Sequence, residues 1–388
     1  MSKKLKIGIT CYPTFGGSGV IATELGLAMA DLGHEVHFIT SRMPVRLQSH
    51  PLADVSFHEV NTYTYALFQH SPYDLALASK MAEVVETHEL DLLHVHYAIP
   101  HAVSAHLARE MLGGGVKVVT TLHGTDITLV GNDPSLYKIT KFAIDQSDAV
   151  TAVSDWLRAE TEREFKPQVP VQVVRNFVDT SEFTPRSHEA LPLKRHCSGE
   201  YPQLIHISNY RPVKRGPDAI EIFNLVLKQH DARLLMVGDG PDLSTAVQRA
   251  RKLGIFDRVS FLGNREEVAC LLAASDVALV PSESESFGLS ALEAMACGCA
   301  VVTSDIGGLP ELVREGVDGY LCPVGDVDAM AGRVNDLLKD TARLEEIKRN
   351  GRQRAVEEYD ISHVLPEYLK VYEQVLRRSD TTVRSATA

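Results

Sequence analysis

Two carboxylates with seven residues between them, Glu285 and Glu293, bracket the string Ser286-Phe287-Gly288-Leu289. An ionised carboxylate only accepts hydrogen bonds, so each suits the paired hydroxyls of a sugar or a ribose. A second group, Arg211, Lys214 and Arg215 beside Gly216, places three cations within five residues. The planar forks of arginine and the point charge of lysine suit a diphosphate. Gly16, Gly17 and Ser18, with Gly19, form a glycine-rich stretch whose backbone N–H groups can approach phosphate oxygens closely. Hydroxyl-binding carboxylates together with phosphate-binding cations describe chemistry on a sugar nucleotide. Each feature has a plainer reading alone: solvated glutamates, a solvated charge run, a glycine-rich connection. Their common position, at junctions where a strand hands over to a helix, weighs against those readings.

The local elements explain that position. Val277-Ala-Leu-Val280 is an apolar run of strand length, and Pro281 stops it because proline cannot donate to a sheet ladder. Leu289, Leu292 and Met295 then recur at helical spacing, with Gly298 where the helix would end. The helix start points partly positive N–H groups at whatever sits before the loop, which favours an anion.

The same alternation runs along the chain. Leu5 to Thr10 reads as a strand, Val20 to Leu32 as a helix and Glu35 to Thr40 as a strand, a βαβ unit. Leu92 to Tyr97, Lys117 to Leu122, Ala149 to Ser154 and Val171 to Asn176 read as further strands. Val45 to Pro72, with Phe57, Tyr63, Tyr65 and Phe68, reads as loop or short strands. From Asp179 to Gln203 the prolines Pro185, Pro192 and Pro202 and Gly199 read as a linker. The alternation restarts at Leu204, passes Val259 to Gly263, and closes with Gly319 to Cys322. Two strings of β–α units imply two doubly wound domains facing a cleft. Residues 1–178 and 200–361 are the expected domains. A last helix, 362–380, with Leu365, Tyr368, Tyr372 and Val375 on one face, returns to the first domain, and Ser379 to Ala388 reads as a loose tail.

In an open α/β sheet, the turns at carboxyl ends of strands meet the ligand. Tyr97, Thr121, His123 and Asp126 fall on that rim in the first half; Asn209, Asp239 to Pro241 and Gly263 with Asn264 fall on it in the second. His123 is placed to donate to a substrate oxygen. His94 and His96 share a strand face, but no third ligand at diagnostic spacing accompanies them, so they read as core or mouth-lining side chains rather than metal ligands. Gly17-x-Gly19-x-x-Ala22 formally fits a dinucleotide fingerprint. Five residues separate it from its strand, however, and the second strand ends in Thr40-Ser-Arg42 without a ribose-binding carboxylate.

The chain has 388 residues, a net charge of −12 and 44% hydrophobic residues. This suffices for two domains with real cores and argues against a nucleic-acid partner, which would require a basic face. The six cysteines (Cys11, Cys197, Cys270, Cys297, Cys299, Cys322) do not fall at zinc spacing and read as reduced thiols of a cytoplasmic protein. No apolar leader and no spanning stretch is read, so no stable membrane association is expected.

The Glu285-x7-Glu293 motif, the Arg211/Lys214 pair, Gly16-Gly17 and the returning helix resemble a GT-B retaining glycosyltransferase of family 4, over nearly the whole chain. Gly8-Ile-Thr-Cys-Tyr-Pro-Thr-Phe-Gly-Gly-Ser-Gly19, His94-Val-His-Tyr-Ala-Ile-Pro-His101, Thr121-Leu-His-Gly-Thr-Asp-Ile-Thr128 and Ser208-Asn-Tyr-Arg-Pro-Val-Lys-Arg215 sharpen that resemblance. It implies transfer of N-acetylglucosamine from UDP-GlcNAc to the hydroxyl of L-malate with retention, the first step of bacillithiol biosynthesis. It also implies the roles. Arg211 and Lys214 carry the departing diphosphate, with His123 and Glu285 on the transferred sugar. Gly16, Gly17, Ser18, Arg215, Gly263, Phe287, Gly288, Leu289 and Glu293 bind the donor, with Glu293 on the ribose. Tyr97, Thr121, Asn209 and Arg211 meet the acceptor. No metal or other cofactor is expected, and a homo-oligomer is left open. The alternatives are a family 4 enzyme with another acceptor and an isomerase like UDP-GlcNAc 2-epimerase. More distant ones are a nicotinamide oxidoreductase and a two-lobed binding protein.

Overall fold

The computed structural model of the chain describes residues 4–14, 16–48, 50, 54–63, 70–186 and 201–386, and side chains as far as residue 377. Tyr65, Phe68, Pro192, Cys197 and Gly199 of the sequence reading lie outside the described residues. The chain divides into two compact units, residues 1–175 with 364–388, and residues 176–363.

The first unit holds a seven-stranded sheet of β1 (Lys6–Thr10), β2 (Glu35–Thr40), β3 (Ser56–Glu59), β4 (Leu92–His96), β5 (Lys117–Leu122), β6 (Ala149–Ala152) and β7 (Val171–Val173). Their order is β3-β2-β1-β4-β5-β6-β7, and every pairing is parallel. The second unit holds β8 (Gln203–Ile207), β9 (Arg233–Val237), β10 (Val259–Gly263), β11 (Val277–Val280), β12 (Ala300–Ser304) and β13 (Tyr320–Cys322), ordered β10-β9-β8-β11-β12-β13 and again all parallel.

Parallel strands covered by helices on both faces lose water on both faces, so their sequences are apolar without alternation. Every residue of β4, β11 and β12 is buried accordingly. In each unit the order reverses beside the first strand, between β1 and β4 and between β8 and β11. A crevice opens at such a reversal because neighbouring crossovers leave in opposite directions, and ligands bind there outside the carboxyl ends of the strands. The glycine-rich stretch follows β1, the Arg211–Arg215 run follows β8, and the Glu285 loop follows β11.

Several boundaries differ from the sequence reading. The first helix spans Gly17–Asp31, so Gly17, Ser18 and Gly19 form its first turn instead of a preceding loop. Gly19 permits this, because a Cβ there would run into the carbonyl oxygens of Tyr12 and Thr14. Within 45–72 a short helix, Val45–Gln48, and edge strand β3 appear. The last helix spans Ile361–Ala386 and runs through the segment read as a loose tail. From Val364 it belongs to the first unit, where Tyr368, Val371, Tyr372 and Val375 are buried. Tyr372 Oη lies 2.7 Å from His94 Nδ1 on β4. Among the described residues no helix is long and apolar enough to cross a membrane.

Candidate active site

In the second unit the loops after β8 and β11 are neighbours because their strands are neighbours. Glu283 N–H donates to the Val213 carbonyl at 2.9 Å, joining the two loops through the backbone. Lys214 Nζ then meets Glu285 Oε1 at 2.6 Å, and Ser282 Oγ donates to the same oxygen at 3.0 Å. The lysine side chain keeps 23% of its exposure and the glutamate 11%, so the pair is shielded yet reachable. Below it, buried His206 donates from Nδ1 to the Leu279 carbonyl at 2.9 Å. Its Nε2 therefore accepts from Ser208 Oγ at 2.9 Å, and the ends of β8 and β11 are tied together. Burial pushes the His206 imidazole down to about 4, so it is a neutral strut at pH 7.

Glycines decide how closely these loops pack. Cβ atoms on Gly238 and Gly240 would run into the carbonyl oxygens of Ser208 and Asn209, and on Gly307 and Gly308 into those of Glu285 and Ser286. Gly308 N–H donates to the Glu285 carbonyl at 3.0 Å, which holds the carboxylate-bearing loop from the β12 side. Sequence reasoning missed Gly307, Gly308 and His206. The readable signal was the glycine doublet that follows a strand after two residues.

The Leu289–Ala296 helix begins at Gly288, whose φ of 100° only glycine adopts without strain, and no side chain caps it. Its first-turn amides consequently face the loop with their partial positive charge. Phe287 points inward, edge-on to Tyr359 at 5.8 Å, so its backbone and not its ring faces the loop. Glu293 lies one turn beyond Leu289 on the same helix face and is half-buried.

The three cations take different positions. The Asn209 amide oxygen, turned toward Arg211, accepts from its Nε at 3.1 Å and Nη2 at 3.3 Å. Asn209 thus orients an exposed guanidinium. Arg215 departs from the expectation of a donor contact: its guanidinium is held by Asp218 at 2.7 Å and Glu283 at 3.5 Å. Its backbone is left-handed, which turns the side chain back along the Gly216–Val226 helix. Gly263 ends β10, and its carbonyl accepts from Gly238 N–H at 2.8 Å, so it supports the β9 loop.

The first unit builds its rim from buried imidazoles. Asp126 is 2% exposed and accepts from the N–H groups of His123 (3.2 Å), Gly124 (2.9 Å) and Ala98 (3.0 Å), fastening the loops after β4 and β5. Burial raises its carboxyl to about 6 against the pull of those donors. His123 Nε2 lies 2.8 Å from His96 Nδ1, which leaves Nδ1 of His123 outside that contact. Burial first, then His101, holds its imidazole far below the usual range, so it is neutral. Tyr97, at a φ of 88°, packs against Tyr12 and His123 with both centroid distances 5.3 Å and stays half-buried at the rim. Gly16 caps the Gly17–Asp31 helix without a side-chain bond, and Gly17 and Ser18 present its first turn.

Thr121 corrects the sequence reading. It is fully buried, and its hydroxyl lies 2.7 Å from both His94 Nε2 and Thr151 Oγ1. Strand alternation turns it into the core beneath the rim, where an acceptor does not reach it.

Comparison with known proteins agrees with this geometry. Residues 15–182 match the model of Glycosyltransferase Family 4, and residues 193–354 match that of Glycosyl transferases group 1. The chain is 50% identical to N-acetyl-alpha-D-glucosaminyl L-malate synthase of Bacillus anthracis, over 96% of this chain and 98% of that one. It is 28% identical to alpha-maltose-1-phosphate synthase of Mycolicibacterium smegmatis, over 94% and 97%. Among solved structures, Anabaena HepE in complex with UDP-glucose superposes with a TM-score of 0.81 at 21% identity, covering 95% of this chain and all of that one. A glycosyltransferase from Rickettsia africae superposes at 0.79 and 21% identity, over 96% and 99%. With both halves matched in order, two sheets reversing beside their first strands and a carboxylate–lysine pair at the second reversal, the chain belongs to glycosyltransferase family 4 and has the GT-B fold.

Proposed function

We propose that this glycosyltransferase moves N-acetylglucosamine from UDP-GlcNAc to the hydroxyl of L-malate with retention at the anomeric carbon, the first step of bacillithiol biosynthesis. The observation that carries the donor half is the Lys214–Glu285 pair beside an uncapped helix start. The 50% identity to the malate-using relative supports the acceptor. Lys214 and Arg211 stabilise the charge that develops on the diphosphate as it leaves, where preformed charge needs no reorganisation. Glu285, already oriented by Ser282, holds hydroxyls of the transferred sugar. The amides of Phe287, Gly288 and Leu289 face the phosphates, and Glu293 holds the ribose. Gly16, Gly17 and Ser18 offer a second set of uncapped amides to the donor.

In the transfer, the bond from the anomeric carbon to the phosphate oxygen breaks and that to malate's hydroxyl oxygen forms. The hydroxyl proton passes to the departing phosphate oxygen on the same face. Protein carboxylates are therefore not paired as acid and base, unlike in a hydrolase. Neutral His123 donates from Nδ1 to the sugar. Arg211, held by Asn209, supplies a cation for a malate carboxylate, and Tyr97 a hydroxyl. We read the protein as cytoplasmic, since the five cysteines among the described residues are all free.

The test is UDP release from UDP-GlcNAc with L-malate, D-malate, other hydroxy acids or water, each with and without EDTA. Release that requires L-malate and ignores EDTA is the expected result. Equal, slow release with every acceptor overturns the malate assignment. Binding of UDP without any release favours an isomerase or a binding protein.

A further inference from the structure

Three histidines meet at the opposite end of the first sheet from Tyr97 and His123. His37 lies on β2, His58 on the edge strand β3, and His88 is the last residue of the Tyr73–His88 helix. One ring nitrogen from each lies within 4.8 Å of the others. The ring centroids are 5.2 Å (His37–His58), 4.4 Å (His37–His88) and 5.1 Å (His58–His88) apart. The cluster belongs to the amino end of the sheet. Lys6, which opens β1, donates from Nζ to the His88 carbonyl at 2.8 Å, and its N–H reaches Asp91, just before β4, at 2.8 Å. The candidate active site, in contrast, uses carboxyl ends of strands.

The protonation pattern is set by a neighbour. His37 Nε2 lies 3.1 Å from Glu35 Oε1, and a carboxylate can only accept, so Nε2 carries the hydrogen and Nδ1 presents a lone pair. That lone pair faces His58 Nε2 at 2.9 Å. Without a cation, His58 must spend its N–H to fill this contact. Nitrogens around a tetrahedral zinc ion stand about 3.3 Å apart; the His37–His58 pair is already near that at 2.9 Å, and the His88 nitrogen, within 4.8 Å of both, closes in on an ion by side-chain rotation. An ion seated there takes the place of the shared proton, and His58 moves its hydrogen to Nδ1. The carboxylate behind His37 is the arrangement that orients imidazole ligands in metal sites. The carboxyl end of the helix that carries His88 adds partial negative charge. Opposing charge comes from Lys6 and from Lys80, the latter paired with Glu83 at 2.7 Å. Glu35 and Glu83 offset them.

We propose that His37, His58 and His88 form a three-histidine site for a divalent transition-metal ion of the zinc type, with Glu35 as its positioning carboxylate. The ion clips edge strand β3 to β2 and to the end of the Tyr73–His88 helix, and a half-buried fourth position is left for water. The site is separate from sugar transfer.

The test uses the full chain without a histidine tag, stripped by a chelator and titrated with Co2+. Expected is one equivalent bound, with visible absorption of a four-coordinate ion that Zn2+ abolishes, and a higher Tm with Zn2+. His58→Ala and His88→Ala each abolish the one-equivalent absorption, and Glu35→Gln weakens binding about 10- to 100-fold. No stoichiometric binding by the unaltered chain, or the same binding in both histidine variants, overturns the proposal. The unaltered chain decides the first point even where a variant fails to fold.

Discussion

The two units share a strand order but hold their rims by different means. The first uses buried neutral side chains that can titrate: His94, His96 and His101 are fully buried, and His123 and Asp126 complete the network. The second uses backbone. Glycines let the loops of β8, β9, β11 and β12 pack carbonyl to Cα, and the buried imidazole of His206 ties two strands. The charged groups of the second rim then stand on a frame that protonation barely touches. On the proposed function, in which this unit cradles the diphosphate, a rigid backbone is an advantage, because preorganised charge is what stabilises a departing group.

Acid separates the two most strongly. His94 is held down to about 3 and His101 to about 4, with His96 and His123 also far below the usual imidazole range, all chiefly by burial. Unfolding lets all four take up protons, so their contribution is whole above the ordinary histidine range and is lost as pH falls toward 3 or 4. Asp126, raised to about 6, works the other way between pH 4 and 6 by one proton. For these five groups the net near pH 5 is about three protons, a slope of roughly 4 kcal/mol per pH unit, and the lowered His34, His37, His58 and His106 of the same unit add to it in the same sense. Among the described residues of the second unit, His206 gives roughly 1.4 kcal/mol per pH unit. Hydrogen exchange along an acid titration should show the first unit opening earlier; simultaneous opening breaks the contrast.

Lys214→Ala tests the rigid rim directly. It should lower kcat about 100- to 1,000-fold with a smaller change in the UDP-GlcNAc KM. Equal losses in both would mean that the lysine binds donor and transition state alike. Glu293→Ala comes next: one or two charge-assisted bonds to the ribose, roughly 1.5–3 kcal/mol each, read as weaker UDP binding by calorimetry. Unchanged UDP affinity removes the ribose role. The smallest effect belongs to the first unit. Thr121→Val leaves His94 Nε2 without its partner, while Nδ1 keeps Tyr372, and should cost about 1–3 kcal/mol of stability with the acceptor KM unmoved. A raised acceptor KM at unchanged stability would return Thr121 to the rim.

Much of the site was legible because its signals are local. Pro281, the glycine at 288 and the spacing of Leu289 and Met295 predict strand, loop and helix from one stretch, and the structure has them at Val277–Val280 and Leu289–Ala296. Thr121 and Arg215 were not legible. A strand residue next to the rim points up or into the core according to its register, and a guanidinium pairs with whichever carboxylate its backbone aims it at. The Gly17–Asp31 helix began earlier than read because Gly19 allows the Tyr12–Thr14 loop to lie against its first turn, a contact that spacing does not reveal.

Sequence alone determined the alternation of strands and helices, the carboxylate pair seven residues apart and the family, since each rests on residue type and short-range order. Tertiary structure decided which of these residues meet. Lys214 and Glu285 are 71 positions apart, and only the adjacency of β8 and β11 brings them to 2.6 Å. His37, His58 and His88 carry no spacing signal at all, and pairing of β2 with β3 over the end of a helix assembles them. Partners distant in the chain are chosen by strand order, which is a property of the packed core as a whole.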